Sequence, residues 1–490
     1  MGDRGTAGRD VPRPYATHDA VVVIPGIMGS VLVDRRTEKK VWGDGPVVAS
    51  WFTGAALRRL RLDADELEGR YGRIVPESLL RYAAWFPGFR GIERYRELLR
   101  GVHSAVADPH AVREFPYDWR LPVAHNARLL ARDALGHLER WRASGAHDRA
   151  RRRHPVQPQE PAKLVFVAHS MGGLLVRHLA LDPAIRPFIR TCVTLGTPFY
   201  GTPKAAVLLN SGRGVPLLPA KRPASAIHRR DPDDGLRALA AGLPGVYDLL
   251  PAYRCLDDGG AGRRLTSADV VGLGGDRDQA EAWAERQVTD RTDLPDHQLL
   301  MGTAQRTAQS MRVDDGVVTP LFVSLRGTDE VPRREDERGD GTVPGFSAEV
   351  PGVRPAARLF QSHSGLGMAD VVVRQVARIL RDGDIGTIGP PMGTEAGQAG
   401  LDTPDGAVLP GETWTAVVTG AEDRPDAFCT VESVGARRRW ADTFRIERRD
   451  GERHAPVTLD RPGLYRVTFQ PPEGAPISQL VLAADPVNDD

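Results

Sequence analysis

Apolar residues in the first part of the chain fall in short unbroken runs. Ala20-Val21-Val22-Val23-Ile24 is followed at once by Pro25-Gly26, the pattern of a strand buried on both faces of a parallel sheet. Lys163 to Ala168 and Thr191 to Leu195 repeat it, and the second of these ends at Gly196-Thr197-Pro198. Between the two runs, Leu174, Leu175, Arg177, His178 and Leu179 follow a helical rhythm, so strand, helix and strand form a βαβ unit. Val123 to Trp141 reads as a covering helix. Ala369 to Leu380 reads as the last one, with Val371, Val372, Val376, Ile379 and Leu380 as its apolar stripe. Arg142 to Ala162, rich in Arg, His, Pro and Gln, reads as a solvated surface insertion. Strand signals fade from Tyr200 to Asp296, which is expected to form a cap.

The period changes beyond residue 406. Thr413 to Val418, Phe428 to Val431, Phe444 to Ile446, Val457 to Leu459, Leu464 to Phe469 and Gln479 to Leu482 are short strands separated by turn residues, the signature of a small antiparallel β-sandwich. Residues 384–406, dense in Gly, Pro, Thr and Ala, form the expected linker. The division is therefore a loose N-terminal arm over 1–17, an α/β domain over 18–383 with its cap at 200–296, and a sandwich over 407–490. No internal repeat is visible.

Composition narrows the classes. A chain of 490 residues with 41% hydrophobic and 26% charged residues can bury a sizeable core in two domains. Lys+Arg 65 against Asp+Glu 64 gives no reason to expect nucleic acid as a partner. Cys192, Cys255 and Cys429 lack the spacing of a zinc site or disulfide framework, and no metal or organic cofactor is called for. The N-terminus shows no apolar signal segment and no run long enough to cross a bilayer, so a cytoplasmic location is the expectation.

The candidate chemistry begins at Ala168-His169-Ser170-Met171-Gly172-Gly173, where a buried strand meets a helix. A serine on that turn is presented as a nucleophile, as on the sharp elbow of the α/β-hydrolase fold; the competing reading is a helix-capping serine. The same helix start offers the Met171 N–H to an oxyanion. Ile27, in Ile24-Pro25-Gly26-Ile27-Met28-Gly29-Ser30, is the candidate second donor. Asp340, in Gly339-Asp340-Gly341-Thr342-Val343-Pro344, is the candidate acid. Its rival Asp315 sits in Asp314-Asp315-Gly316 between two apolar stretches and reads as a hairpin turn. His363, between Asp340 and the last helix, is the candidate base, since in this fold the order is Ser, Asp, His.

These motifs, with Pro116-Tyr117-Asp118-Trp119-Arg120 and Leu195-Gly196-Thr197-Pro198, resemble the lecithin:cholesterol acyltransferase-like family over residues 20–382. The resemblance implies a Ser170, Asp340, His363 triad and Ile27 and Met171 as oxyanion donors. It also implies acyl-ester or lipid substrates, with the acyl group passing to water or an alcohol. It does not cover the sandwich, whose partner, if it binds one, is unknown. Eukaryotic members carry a disulfide-closed loop near the membrane face. Here no cysteine precedes Cys192, and the apolar stretch from Trp42 to Leu57, with Trp51 and Phe52, is the candidate for acyl or peripheral membrane contact, with burial in the cap as the alternative. Tyr117 to Arg120 reads as a brace of the fold. A second functional class is a catalytically degenerate hydrolase domain that carries the sandwich as a binding module.

Overall fold

A computed structural model of the chain describes residues 16–43, 54–153, 160–211, 213, 232–286, 293–382, 399–419, 427–435, 439–449, 452–472 and 474–485. Trp51, Phe52 and most of the expected arm and linker lie outside the described residues.

At the centre is a six-stranded sheet in the order Ala357–Leu359, His297–Gly302, Ile189–Leu195, Leu164–His169, Ala20–Ile24, Val112–Glu114, and every neighbouring pair is parallel. Ala20–Ile24 and Leu164–His169 are buried along their whole length, as a central strand covered on both faces requires. Among the covering helices are Val123–Arg142, Met171–Leu179 and Asp370–Asp382. This is an α/β-hydrolase arrangement, in which the chain leaves the carboxyl ends of adjacent strands toward one shared crevice. Among the described residues, no helix is long and apolar enough to cross a membrane.

Beyond residue 399 two four-stranded antiparallel sheets face each other, with Val418, Val457, Cys429, Val431, Val467 and Ile477 in one core between them. Each of the expected strands is present, and two short ones are added, Gly400–Asp402 and Glu447–Arg449. The first of these pairs with Thr413–Thr419 and so lies inside the stretch read as a linker.

Two further features depart from the sequence reading. The polar stretch after Arg142 contains a helix, Gly145–Arg153, with His147 and Ala150 buried. Spaced three apart, these residues turn one face toward Trp141, whose ring meets His147 edge-on at 5.5 Å, so charge density concealed a short amphipathic helix. An antiparallel sheet of Ser30–Asp34, Lys39–Trp42 and Ile74–Leu79 also follows the first strand, too broken by charged residues to be read as strands.

Arg120 is fully buried and braces this region. Its guanidinium donates to both Asp118 oxygens at 2.9 and 2.7 Å, to Glu66 at 2.8 Å and to the Leu60 carbonyl at 3.2 Å. Burial pushes the Glu66 carboxyl up, but Arg120 and Arg73 outweigh it and hold Glu66 below the usual range. Removing the cation would leave the buried Asp118 carboxylate without its partner and Glu66 with Arg73 alone, so Arg120→Ala is expected to cost about 3–5 kcal/mol of stability. Urea unfolding of the variant measures this; a midpoint equal to wild type would contradict the brace.

Candidate active site

Ser170 sits between the end of its strand and the helix Met171–Leu179, with backbone φ 53° and ψ −127°. Few non-glycine residues adopt this conformation, which costs about 1–3 kcal/mol and persists only where the surroundings enforce it. Here the Ser170 N–H donates to the Leu195 carbonyl at 2.8 Å, tying the turn to the next strand. Small neighbours make room. A Cβ on Gly26 would stand 2.8 Å from the Ser170 Cβ, and one on Gly173 would collide with Thr197. Ala168 in place of glycine is accommodated with its side chain buried.

The Ser170 hydroxyl lies 2.8 Å from His363 Nε2. On the other side of the ring, Nδ1 lies 2.6 Å from Asp340 Oδ2. The remaining Asp340 oxygen accepts from the N–H groups of Thr342 and Val343 at 2.9 and 2.7 Å, and the carboxylate is 2% exposed. Those two donors stabilise the charged carboxylate, so Nδ1 carries the proton toward Asp340 and Nε2 is left to accept from the serine. Gly196, at φ 57°, lets the chain pass under this pair; a Cβ there would lie 2.9 Å from Asp340 Oδ2.

The structure thus brings Ser170, Asp340 and His363 together and leaves Asp315 elsewhere. Asp315 and Gly316, at φ 50° and 76°, form the tight turn joining Ser310–Asp314 to Val317–Leu321. Among the described residues the N–H groups of Ile27 and Met171 have no acceptor. Both flank Ser170, one across Gly26 and the other as its neighbour in the chain. The expected acyl contacts Trp51 and Phe52 lie outside the described residues.

A second network was not expected from the sequence. The Gly26 N–H donates to the Tyr95 hydroxyl at 2.8 Å, Tyr95 lies 2.9 Å from His169 Nδ1, and His169 Nε2 lies 3.0 Å from the His363 carbonyl. A carbonyl only accepts, so Nε2 holds the proton and Tyr95 donates to Nδ1. Burial, followed by the nearby His363, pushes the His169 pKa down to about 3, so its ring is neutral. The His363 N–H donates to the Asp340 carbonyl at 2.8 Å. His363 is therefore held by its ring and by both of its backbone groups. His169 is visible in the motif, but Tyr95 meets it only through the fold.

A cleft of about 570 Å³, counting the solvent at its mouth, opens over Ser170 and His363. Its walls include Ile27, Phe89, Ile92, Pro198, Leu249 and Val343, and among the described lining residues Glu93 is the single carboxylate, with no Lys or Arg. Among the described residues no cluster of three or more His, Cys, Asp or Glu side chains is arranged to hold a metal.

Residues 91–224 match the family model described as Lecithin:cholesterol acyltransferase, a stretch that includes Tyr95, His169 and Ser170. This is consistent with a lecithin:cholesterol acyltransferase-like family. The uncharacterized protein YJR098C of Saccharomyces cerevisiae is 28% identical over 185 residues, which is 36% of this chain and 23% of that protein, so the chain spans about a quarter of that relative's length. Among solved structures, the Tle4-Tli4 complex aligns with 15% identity and a TM-score of 0.43 over 74% of this chain and 97% of that one. The Bacillus licheniformis lipase BlEst2 in its propeptide form gives 9% and 0.35 over 96% and 94%. The metagenomic carboxyl esterase MGS0156 gives 15% and 0.21 over 49% of each chain.

Tyr95→Phe removes the hydroxyl that satisfies both Gly26 and His169, and leaving such buried groups unpaired costs about 1–3 kcal/mol. Chemical unfolding is expected to show that loss. His169 also carries a pH signature. The unfolded chain binds a proton at this residue below about 6.5, the folded chain only near 3, so its contribution to stability is complete above pH 6.5 and is lost as pH falls from there toward 3. His169→Gln should flatten that acid-side decline when unfolding midpoints at pH 7 and pH 4.5 are compared with wild type; an unchanged slope would contradict a buried neutral ring.

Proposed function

We propose that this protein is a serine esterase or O-acyltransferase that acts on acyl esters, lipids among them, through an acyl-serine intermediate. The observation that carries this reading is the continuous line from Ser170 Oγ through the His363 ring to Asp340, opening into an apolar cleft. A catalytically degenerate scaffold would have no need of so complete an arrangement.

In this mechanism Ser170 Oγ attacks the acyl carbonyl while His363 Nε2 takes its proton, and Asp340 holds the tautomer and stabilises the imidazolium that forms. The N–H groups of Ile27 and Met171 receive the oxyanion of the tetrahedral intermediate; such preorganised donors are each worth roughly 10²–10³ in rate. His363 then gives the proton to the departing alcohol oxygen, leaving the acyl group on Ser170. Water or an alcohol attacks the acyl-serine with His363 again as base, which frees a carboxylic acid or a new ester and restores the serine hydroxyl. The apolar cleft wall suits an acyl chain, and its burial supplies about 25 cal/mol per Å².

An activity-based fluorophosphonate should label the wild-type chain and not Ser170→Ala; equal labelling of both would sink the proposal. Asp340→Asn is expected to lower kcat by about 10⁴, whereas Asp315→Asn, a change in a hairpin turn, should leave kcat within about twofold. Added alcohols that divert product from free acid to new ester would identify the transferase branch.

A further inference from the structure

The C-terminal sandwich does not stand apart from the α/β domain. Leu464, Leu480 and Leu482 belong to the same apolar core as the parallel sheet. Three contacts reach further, to the candidate site itself. Ser362, fully buried and next to His363 in the chain, donates its hydroxyl to the Ser478 carbonyl at 2.7 Å. Gln361 Nε2 donates to the Pro476 carbonyl at 3.0 Å. Both acceptors belong to the segment that enters and begins the last strand, Ile477–Ala483. On the cleft wall, Glu93 receives two parallel hydrogen bonds from Arg466 at 2.9 Å each. Glu93 is buried and lines the cleft, as does Gly91 beside it. A side chain at 91 would collide with Leu480 of the sandwich, so the strand Arg90–Ile92 is held between the cleft and that leucine.

We propose that the sandwich is a working part of the active centre: it positions the His363 loop through Ser478 and Pro476, and fixes the cleft wall through Arg466. The physical need is clear on both sides. Without those two carbonyls the buried Ser362 hydroxyl would keep the Gly365 N–H and a 3.4 Å approach to Ser364 but lose its short acceptor, and Gln361 Nε2 would lose the carbonyl it donates to. Glu93 would be a bare carboxylate in an apolar wall without the bidentate guanidinium. Ser362, Gln361 and Arg466 are thus positioning residues, and the inference rests on the acyl-transfer reading given above.

The test uses the full chain. Ser362→Ala should lower kcat for a short-chain ester by roughly tenfold to a hundredfold, the scale of a small misplacement of a reacting group, with KM within about twofold. Arg466→Ala should instead raise KM for long-chain esters, and adding Glu93→Gln, which removes the uncompensated charge, should restore much of it. Assays run well below each variant's melting temperature separate these effects from unfolding. Variants that melt earlier yet keep wild-type kcat and KM would overturn the inference and reduce the sandwich to a stabiliser. A wild-type chain that neither turns over esters nor takes a fluorophosphonate would instead overturn the acyl-transfer reading, so the two failures are distinct.

Discussion

Ser170 can stand above the sheet only because its backbone is forced into a left-handed conformation, and that constraint organises what surrounds it. The turn needs an N–H bond to Leu195 on the adjacent strand, a glycine at 26 so that the first loop can approach, and a glycine at 173 so that the helix can start against Thr197. Each requirement is met by a different element. The strained residue is thereby fixed by tertiary structure and not by its own sequence, which is how an unfavourable conformation survives in a folded protein.

His363 is held in the same distributed way. His363 begins a single 3-10 turn, Ser364–Gly367, between the short strand Ala357–Leu359 and the helix Asp370–Asp382. Its ring is oriented by Asp340, its N–H by the Asp340 carbonyl, its own carbonyl by His169, and the residue before it by the sandwich. A loop secured by so many separate partners is fixed before anything enters the cleft, which is the preorganisation that the proposed chemistry needs.

Much of the fold was legible because buried parallel strands leave continuous apolar runs. Ala20–Ile24 carries no polar residue at all, and the chain around Ser170 passes from strand to helix within a few residues. The hairpin at Asp315 was equally plain from its Asp-Gly turn. Elements whose stability comes from distant partners were not legible. Gly145–Arg153 hides two buried positions, His147 and Ala150, among arginines, and His147 packs on Trp141. Tyr95 gains its place only when the helix Arg96–Ala105 is packed beside the site. Glu93 and Arg466 are far apart in sequence, and neither has a local pattern that announces the other. Sequence periodicity reports which face of an element is buried, whereas these pairings depend on how elements are stacked.

The most direct test of the account is to trap the acyl group. Rapid mixing of the wild-type chain with an activated ester, an acid quench and mass analysis of the peptide containing Ser170 should show a mass increase equal to the acyl group, absent in Ser170→Ala. Ester turnover with an unmodified Ser170 peptide, persisting in Ser170→Ala, would contradict it.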